Sequence, residues 1–188
     1  MSSFFRHVIG FDDAPFDPDY RGDVLVVGAV YAGPRLDGVL SAKVRRDGVN
    51  ATAVLIRMLR GSRFLPQTHL VLLQGIAFAG FNVVDLDALY QAVNRPVIVV
   101  VRRRPNLSRI KAALLEHVTG GSRKWRLIEK AGPMEPIGGL FVQRAGITLD
   151  RAALALHGLA IHSSMPEPLR TAHLIAGGIT RGESRHPV

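Results

Sequence analysis

The 188-residue chain contains no cysteine, which rules out a disulfide framework and any thiolate metal site. Long apolar runs are missing as well. Stretches such as "LVVGAV" and "VIVVV" are well short of a membrane span. The opening "MSSFFRHVIG" lacks a basic segment followed by a long apolar one, so no signal peptide is expected and the expected location is cytoplasmic. No internal repeat and no low-complexity segment occurs. Acids are few: 15 Asp and Glu stand against 24 Lys and Arg, for a formal net charge of +9. With 47% hydrophobic residues the chain has enough apolar material for one packed core. The expected organisation is a single domain over residues 1–180 and a frayed tail over 181–188.

A positive balance of this size points to an anionic partner, most simply nucleic acid, DNA or RNA. The charge is unevenly spread. Five aspartates lie between Asp12 and Asp23, against one arginine, Arg21. Between Arg102 and Arg126 the basic residues are Arg102, Arg103, Arg104, Arg109, Lys111, Arg123, Lys124 and Arg126, and the one acid is Glu116. A solvated Arg-rich surface would have the same composition.

The pattern along the chain predicts its elements. "HVIGF" reads as a short buried strand ending at Asp12-Asp13, "APFDPDYRGD" as a loop, and "VLVVGAVY" as a strand covered on both faces. In "LDGVLSAKVR", Leu36, Leu40, Ala42 and Val44 alternate with polar residues, completing an antiparallel meander. Asn50 is placed to cap a helix through "ATAVLIRMLR", and "HLVLL" is a further strand. Asp85 caps the next helix, "PVIVVV" is another buried strand, and Asn106 caps a helix carrying Leu107, Ile110 and Leu114. "WRLIE" and "GGLFVQRAG" read as short strands, and two helices follow in "TLDRAALALHGLA" and "EPLRTAHLIAGG". Three antiparallel strands, then helix, strand, helix, strand, helix is the ribonuclease H-like order: a mixed α/β sheet whose last two strands run parallel to the first.

In that fold the carboxylate ending the first strand faces a divalent-ion site, because such ions need hard oxygen ligands. Asp12 and Asp13 are the candidates, and alternation along the strand sends only one of them toward the site. An exposed polar turn would read the same way. Asp47, in "RRDGVN", is a possible further ligand, although Asp-Gly is ordinary turn chemistry and the turn is the favoured reading. The first helix contains no acid. Gln74 ends the "LVLLQ" strand and can offer only an amide oxygen. Glu167, Arg170 and His173 are three apart on the last helix, where His173 can orient a water or contact a phosphate beside Arg170. Arg102, Arg103 and Arg104, in "RRRP" at a strand exit, can cradle phosphates or simply be solvated.

"IGFDDAPF", "LDGVLSAKVRRDGVNAT", "GIAFAGFNVVDL", "PVIVVVRRRPNL" and "MPEPLRTAHLIAGGITRGESR" together resemble an uncharacterised, largely archaeal family related to endonuclease V. The resemblance covers nearly the whole chain. It implies a ribonuclease H-like nuclease that uses Mg²⁺ or Mn²⁺, recognises deaminated purine (inosine) in nucleic acid and cuts the strand near it. It implies that Asp12 is the strand-one metal aspartate and that His173 is the histidine following the Pro-Glu-Pro element. Gln74 falls where endonuclease V has the Asp of an Asp-Gly pair, and Arg102 or Arg103 falls near a basic residue after the fifth strand. No glutamate near the first helix matches the second metal ligand, and "YAGPRL" lacks the Pro-Tyr-x-Pro wedge. The expectation is a retained cleft with a weakened, weakly metal-binding centre. It is either a metal-dependent endonuclease or a catalytically inactive nucleic-acid-binding module.

Overall fold

The computed structural model describes residues 5–184. The meander consists of β1 (His7–Asp13), β2 (Asp23–Ala32) and β3 (Arg35–Arg45), paired antiparallel. Next come α1 (Ala51–Arg60), β4 (Leu70–Gln74), the short strands β5 (Ala77–Phe78) and β6 (Asn82–Val83), α2 (Leu86–Val93) and β7 (Val97–Val101). They are followed by α3 (Leu107–His117), α4 (Gly121–Lys130), β8 (Glu135–Ile137), β9 (Leu140–Ala145), α5 (Leu149–Leu159) and α6 (Glu167–Arg181). The main sheet has seven strands in the order β3-β2-β1-β4-β7-β9-β8, and β5 and β6 form a separate small hairpin. As the element order predicts, β4 runs parallel to β1 and β7 parallel to β4. Beyond those five strands, β9, which lies within the expected "GGLFVQRAG" strand, and β8 extend the sheet antiparallel.

Alternation assigns the faces. Val8, Gly10 and Asp12 point one way, and Ile9, Phe11 and Asp13 the other. On the second face Ile9 and Phe11 pack with Val54, Leu55 and Leu59 of α1 and Leu86 and Leu89 of α2. On the first, Val8, Leu70, Leu72 and Ile98 pack against Ala152 and Leu156 of α5 and Leu169 of α6. Fully burying each such aliphatic side chain contributes roughly 1.5–3 kcal/mol, and this holds the helices to the sheet. Helix α6 lies especially close to β1. A Cβ on Gly10 would sit 2.5 Å from the Pro168 carbonyl carbon, so only glycine permits this approach.

Four local expectations need correction. "WRLIE" is not a strand; it belongs to α4, whose buried residues Gly121, Lys124 and Ile128 follow a helical spacing that a five-residue window hides. Leu36 does not share a face with Leu40, because a bulge between Val30 and Tyr31 shifts the β2–β3 register and leaves Leu36 42% exposed. Asn50 precedes α1 but makes no capping bond to it. Its Oδ1 accepts from Arg45 N–H at 3.1 Å and from Asn82 Nδ2 at 2.7 Å, while Asn82 Oδ1 accepts from Ala51 N–H at 2.9 Å. The tail is partly ordered. α6 includes Arg181, Gly182 ends it in the left-handed region, and Ser184 Oγ donates to the Leu174 carbonyl at 2.6 Å. Residues 185–188 of the expected tail lie outside the described residues.

Candidate active site

The C-terminal ends of β1, β4 and β7 form one edge of the sheet, where backbone pairing stops and side chains become available to a ligand. Asp12 is 4% exposed at the end of β1. Its Oδ1 accepts from the Asp13 N–H at 2.9 Å, and its Oδ2 lies 2.8 Å from His173 Nδ1. Gly10 makes this pairing possible. By admitting Pro168 and Leu169 onto β1, it brings the next turn of α6, with His173, level with Asp12.

Gln74 lies on the same face. Phe11 pairs with Leu73, so the following residues, Asp12 and Gln74, are in register on neighbouring strands and point the same way. The Gln74 Oε1 is buried without a hydrogen-bond partner among the described residues. An acceptor in that condition is costly, by about 1–3 kcal/mol, unless something fills it. Just past β7, exposed Arg102 is close enough for its charge to oppose protonation of His173.

The electrostatics follow from burial. Desolvation pushes the Asp12 carboxyl above its ordinary range, against the opposing pull of His173. Asp12 in turn raises His173, chiefly through their hydrogen bond. Asp13 is raised to about 7, first by burial and then by the Asp12 charge. It faces away from His173, and its Oδ2 accepts from the Ala79 N–H at 2.8 Å, anchoring the β5–β6 hairpin.

The remaining candidates are placed elsewhere. Asp47 adopts φ +50° in its turn, its Oδ1 accepts from Phe81 N–H at 2.8 Å, and its Oδ2 pairs with Arg46 at 3.3 Å. Its carboxylate is thus engaged in holding the hairpin that Asp13 also anchors. Arg170 donates to both oxygens of Glu167, which is buried and also contacts His162. That guanidinium braces the first turn of α6. Arg103 and Arg104 are exposed in the turn leading to α3. The structure therefore brings Asp12, Gln74, His173 and Arg102 together, and leaves Asp47 and Arg170 in supporting positions. Among the described residues no three His, Asp or Glu side chains converge in a metal-binding cluster. A single hard ion still fits the donor set, because Mg²⁺ commonly binds through one or two protein oxygens and keeps its waters. Asp12 would supply the charge, and the orphaned Gln74 oxygen a neutral ligand. Two tightly held ions do not fit.

Asn82 is a further residue that the structure places in the site's hairpin. Fully buried, it joins the end of β3 to the start of α1 behind the hairpin, through Nδ2 to the Arg45 carbonyl at 2.8 Å and the Asn50 and Ala51 bonds above. An asparagine inside the otherwise apolar "FNVV" was the available signal.

Residues 5–180 match the profile of the family described as Endonuclease dU. The chain belongs to the Endonuclease dU family. A UPF0215 protein of Deinococcus radiodurans is 60% identical over 178 residues, which is 95% of this chain and 91% of the relative. Another, from Methanothermobacter thermautotrophicus, is 47% identical over 182 residues, 95% and 89% of the two chains. Among solved structures, a protein of unknown function from Archaeoglobus fulgidus superposes with a TM-score of 0.86 at 35% identity, covering 92% of this chain and 97% of that one. Ciona intestinalis endonuclease V, crystallised with a 24mer DNA containing an inosine, superposes with a TM-score of 0.59 at 16% identity, covering 91% and 84%. This Endonuclease dU family member therefore has the endonuclease V-like, ribonuclease H-like fold expected from its strand order. None of its helices, among the described residues, is long and apolar enough to cross a membrane.

Proposed function

We propose that this Endonuclease dU family member binds a nucleic-acid strand across the Asp12 edge of the sheet and hydrolyses a phosphodiester near a deaminated base, using one weakly held Mg²⁺ or Mn²⁺. The observation that carries the reading is the buried Asp12–His173 pair with the partnerless Gln74 oxygen in register beside it. The family description, Endonuclease dU, makes uracil the first base to test, and the inosine in the endonuclease V complex makes hypoxanthine the second.

A divalent ion held there would offset charge on the attacked phosphate. The protein groups have separate roles. Asp12 supplies the negative charge that binds the ion, and Gln74 a neutral oxygen. With Nδ1 of His173 turned to Asp12, Nε2 is the nitrogen left for substrate, and a protonated ring there donates to a phosphate oxygen. Arg102 adds a positive charge at the rim, with Arg103 and Arg104 beyond it. In the reaction a water oxygen bonds to phosphorus as one P–O ester bond breaks, leaving a phosphate monoester on one fragment and a hydroxyl on the other.

A second reading, a catalytically inactive binding module, is favoured by one fact: among the described residues the one carboxylate paired with His173 is Asp12, and its neighbour across the strands is an amide. Labelled DNA and RNA strands carrying uracil or hypoxanthine, incubated with Mg²⁺ or Mn²⁺, separate the two. Cleavage by wild type that is lost in Asp12→Ala supports the nuclease. Retention of the strands without cleavage supports the module, and neither result would sink both.

A further inference from the structure

The basic residues after β7 are concentrated on α3, α4 and the turn before them. Some cations of the molecule are matched to acids: Arg35 to Asp37 at 2.9 Å, Arg144 to Glu135 at 2.9 Å and, at the end of α4, Lys130 to Asp85 at 2.8 Å. In α3, α4 and the turn before them, Lys124 is buried and donates to the Asp47 carbonyl. Arg109, Lys111, Arg123 and Arg126 are exposed, and none has a carboxylate partner within ion-pair distance among the described residues. A merely solvated helix pair would be expected to intersperse signs, since unpaired like charges repel. These helices also lack an acid in either first turn, and Arg123 stands in the first turn of α4, where the helix dipole disfavours a cation.

The placement of the pair adds to the case. α3 and α4 have their own small core, in which Leu114 and Ile128 meet Val83 of the β5–β6 hairpin, with Trp125 and Phe81 packed against it. That hairpin follows Gln74 directly and is pinned by Asp13 and Asp47. The helix pair is therefore held in fixed relation to the cleft, and the chain runs into it from Arg102, at the rim beside His173. Lys111 lies over the Trp125 ring, 5.2 Å from its centroid, which ties the two helices together on their charged side.

We infer that the α3–α4 pair is a docking surface for the phosphodiester backbone flanking the cleft, gripping it by charge and without reading sequence. The inference rests on the nucleic-acid reading above and extends it to residues outside the cleft. Neutralising Arg109, Lys111, Arg123 and Arg126 to Gln tests it, in EDTA so that nothing is cut, on uracil-containing DNA and RNA strands of roughly 30 nucleotides. The expected result is an affinity at least about 10-fold lower near 0.1 M salt and a log K against log salt slope shallower by about 3, from the lost phosphate contacts. A companion chain with Lys at the three arginine positions keeps the wild-type slope. DNA and RNA arms responding alike identify the shared backbone as ligand, and a loss confined to one arm identifies that nucleic acid. An unchanged affinity and slope in the Gln variant overturn the docking surface alone. Failure of wild type to retain either strand near 50 mM salt, where such binding is strongest, overturns the nucleic-acid reading together with it.

Discussion

Asp12 and Gln74 sit side by side on neighbouring strands, so replacing the amide by a carboxylate of equal length adds a full negative charge where only one exists. Gln74→Glu should bind Mn²⁺ about 10- to 100-fold more tightly than wild type in a calorimetric titration, because ligand charge sets affinity at such sites. Without the ion, two adjacent carboxylates repel, so the same variant should melt earlier in EDTA. Equal affinities would mean that the Gln74 side chain does not reach the ion. Asp13 governs a second test. Its carboxyl is raised from 3.8 to about 7, so between those values the folded state holds a proton that the unfolded chain has released. Stability from this group therefore falls as pH rises from about 4 through about 7, by at most about 4 kcal/mol at about 1.4 kcal/mol per unit, and is flat above. The raised Asp12 and His173 act in the same direction. Asp13→Asn should flatten the fall, with thermal melts at mildly acidic and alkaline pH as the measurement; a profile as steep as wild type would assign the dependence to Asp12 and His173.

Between elements, two residues hold contacts whose loss is measurable. Gly10→Ala places a Cβ 2.5 Å from the Pro168 carbonyl carbon, which is backbone and cannot swing aside. The expected cost is about 1–3 kcal/mol, with α6 displaced and the Asp12–His173 pair loosened, so activity should fall further than stability alone explains. Asn82→Ala strands the Ala51 N–H and takes one of two donors from the Arg45 carbonyl, which keeps the Gly48 N–H, and should cost roughly 1–3 kcal/mol by denaturant unfolding, since a buried unpaired group is expensive. Capping shows how far local sequence reaches. Asp85 and Asn106 cap α2 and α3 as expected, because each accepts from an N–H three residues on. At α1 the donor is satisfied by Asn82, 31 residues away in sequence, which no local signal encodes. No hydrophobic period marks α4, because two of its three buried positions are Gly121 and Lys124.

For the whole molecule, an ion that binds the folded chain only should raise its stability by mass action. With a Kd of about 1 mM and about 10 mM Mn²⁺, the gain is about 1.4 kcal/mol. A wild-type melting temperature that responds to Mn²⁺ no more than that of Asp12→Ala would argue against an ion at this edge.

The sequence by itself determined the order of β1, β2, β3, α1, β4, α2, β7 and α3, most of the faces they bury, and the excess of basic residues after β7. These are properties of local period and composition. It also placed Asp12 at a strand end and, through resemblance, His173 near it. Only the tertiary structure decided which side chains share a site. Parallel pairing of β1 with β4 closes a long loop, and the resulting register, which no local pattern specifies, puts Gln74 beside Asp12 on one face and sends Asp13 to the other. The same is true of Arg170. It looked available in the sequence and packing commits it to a buried glutamate, while Asp47 lies in the turn its Asp-Gly pair favours and holds the hairpin from there.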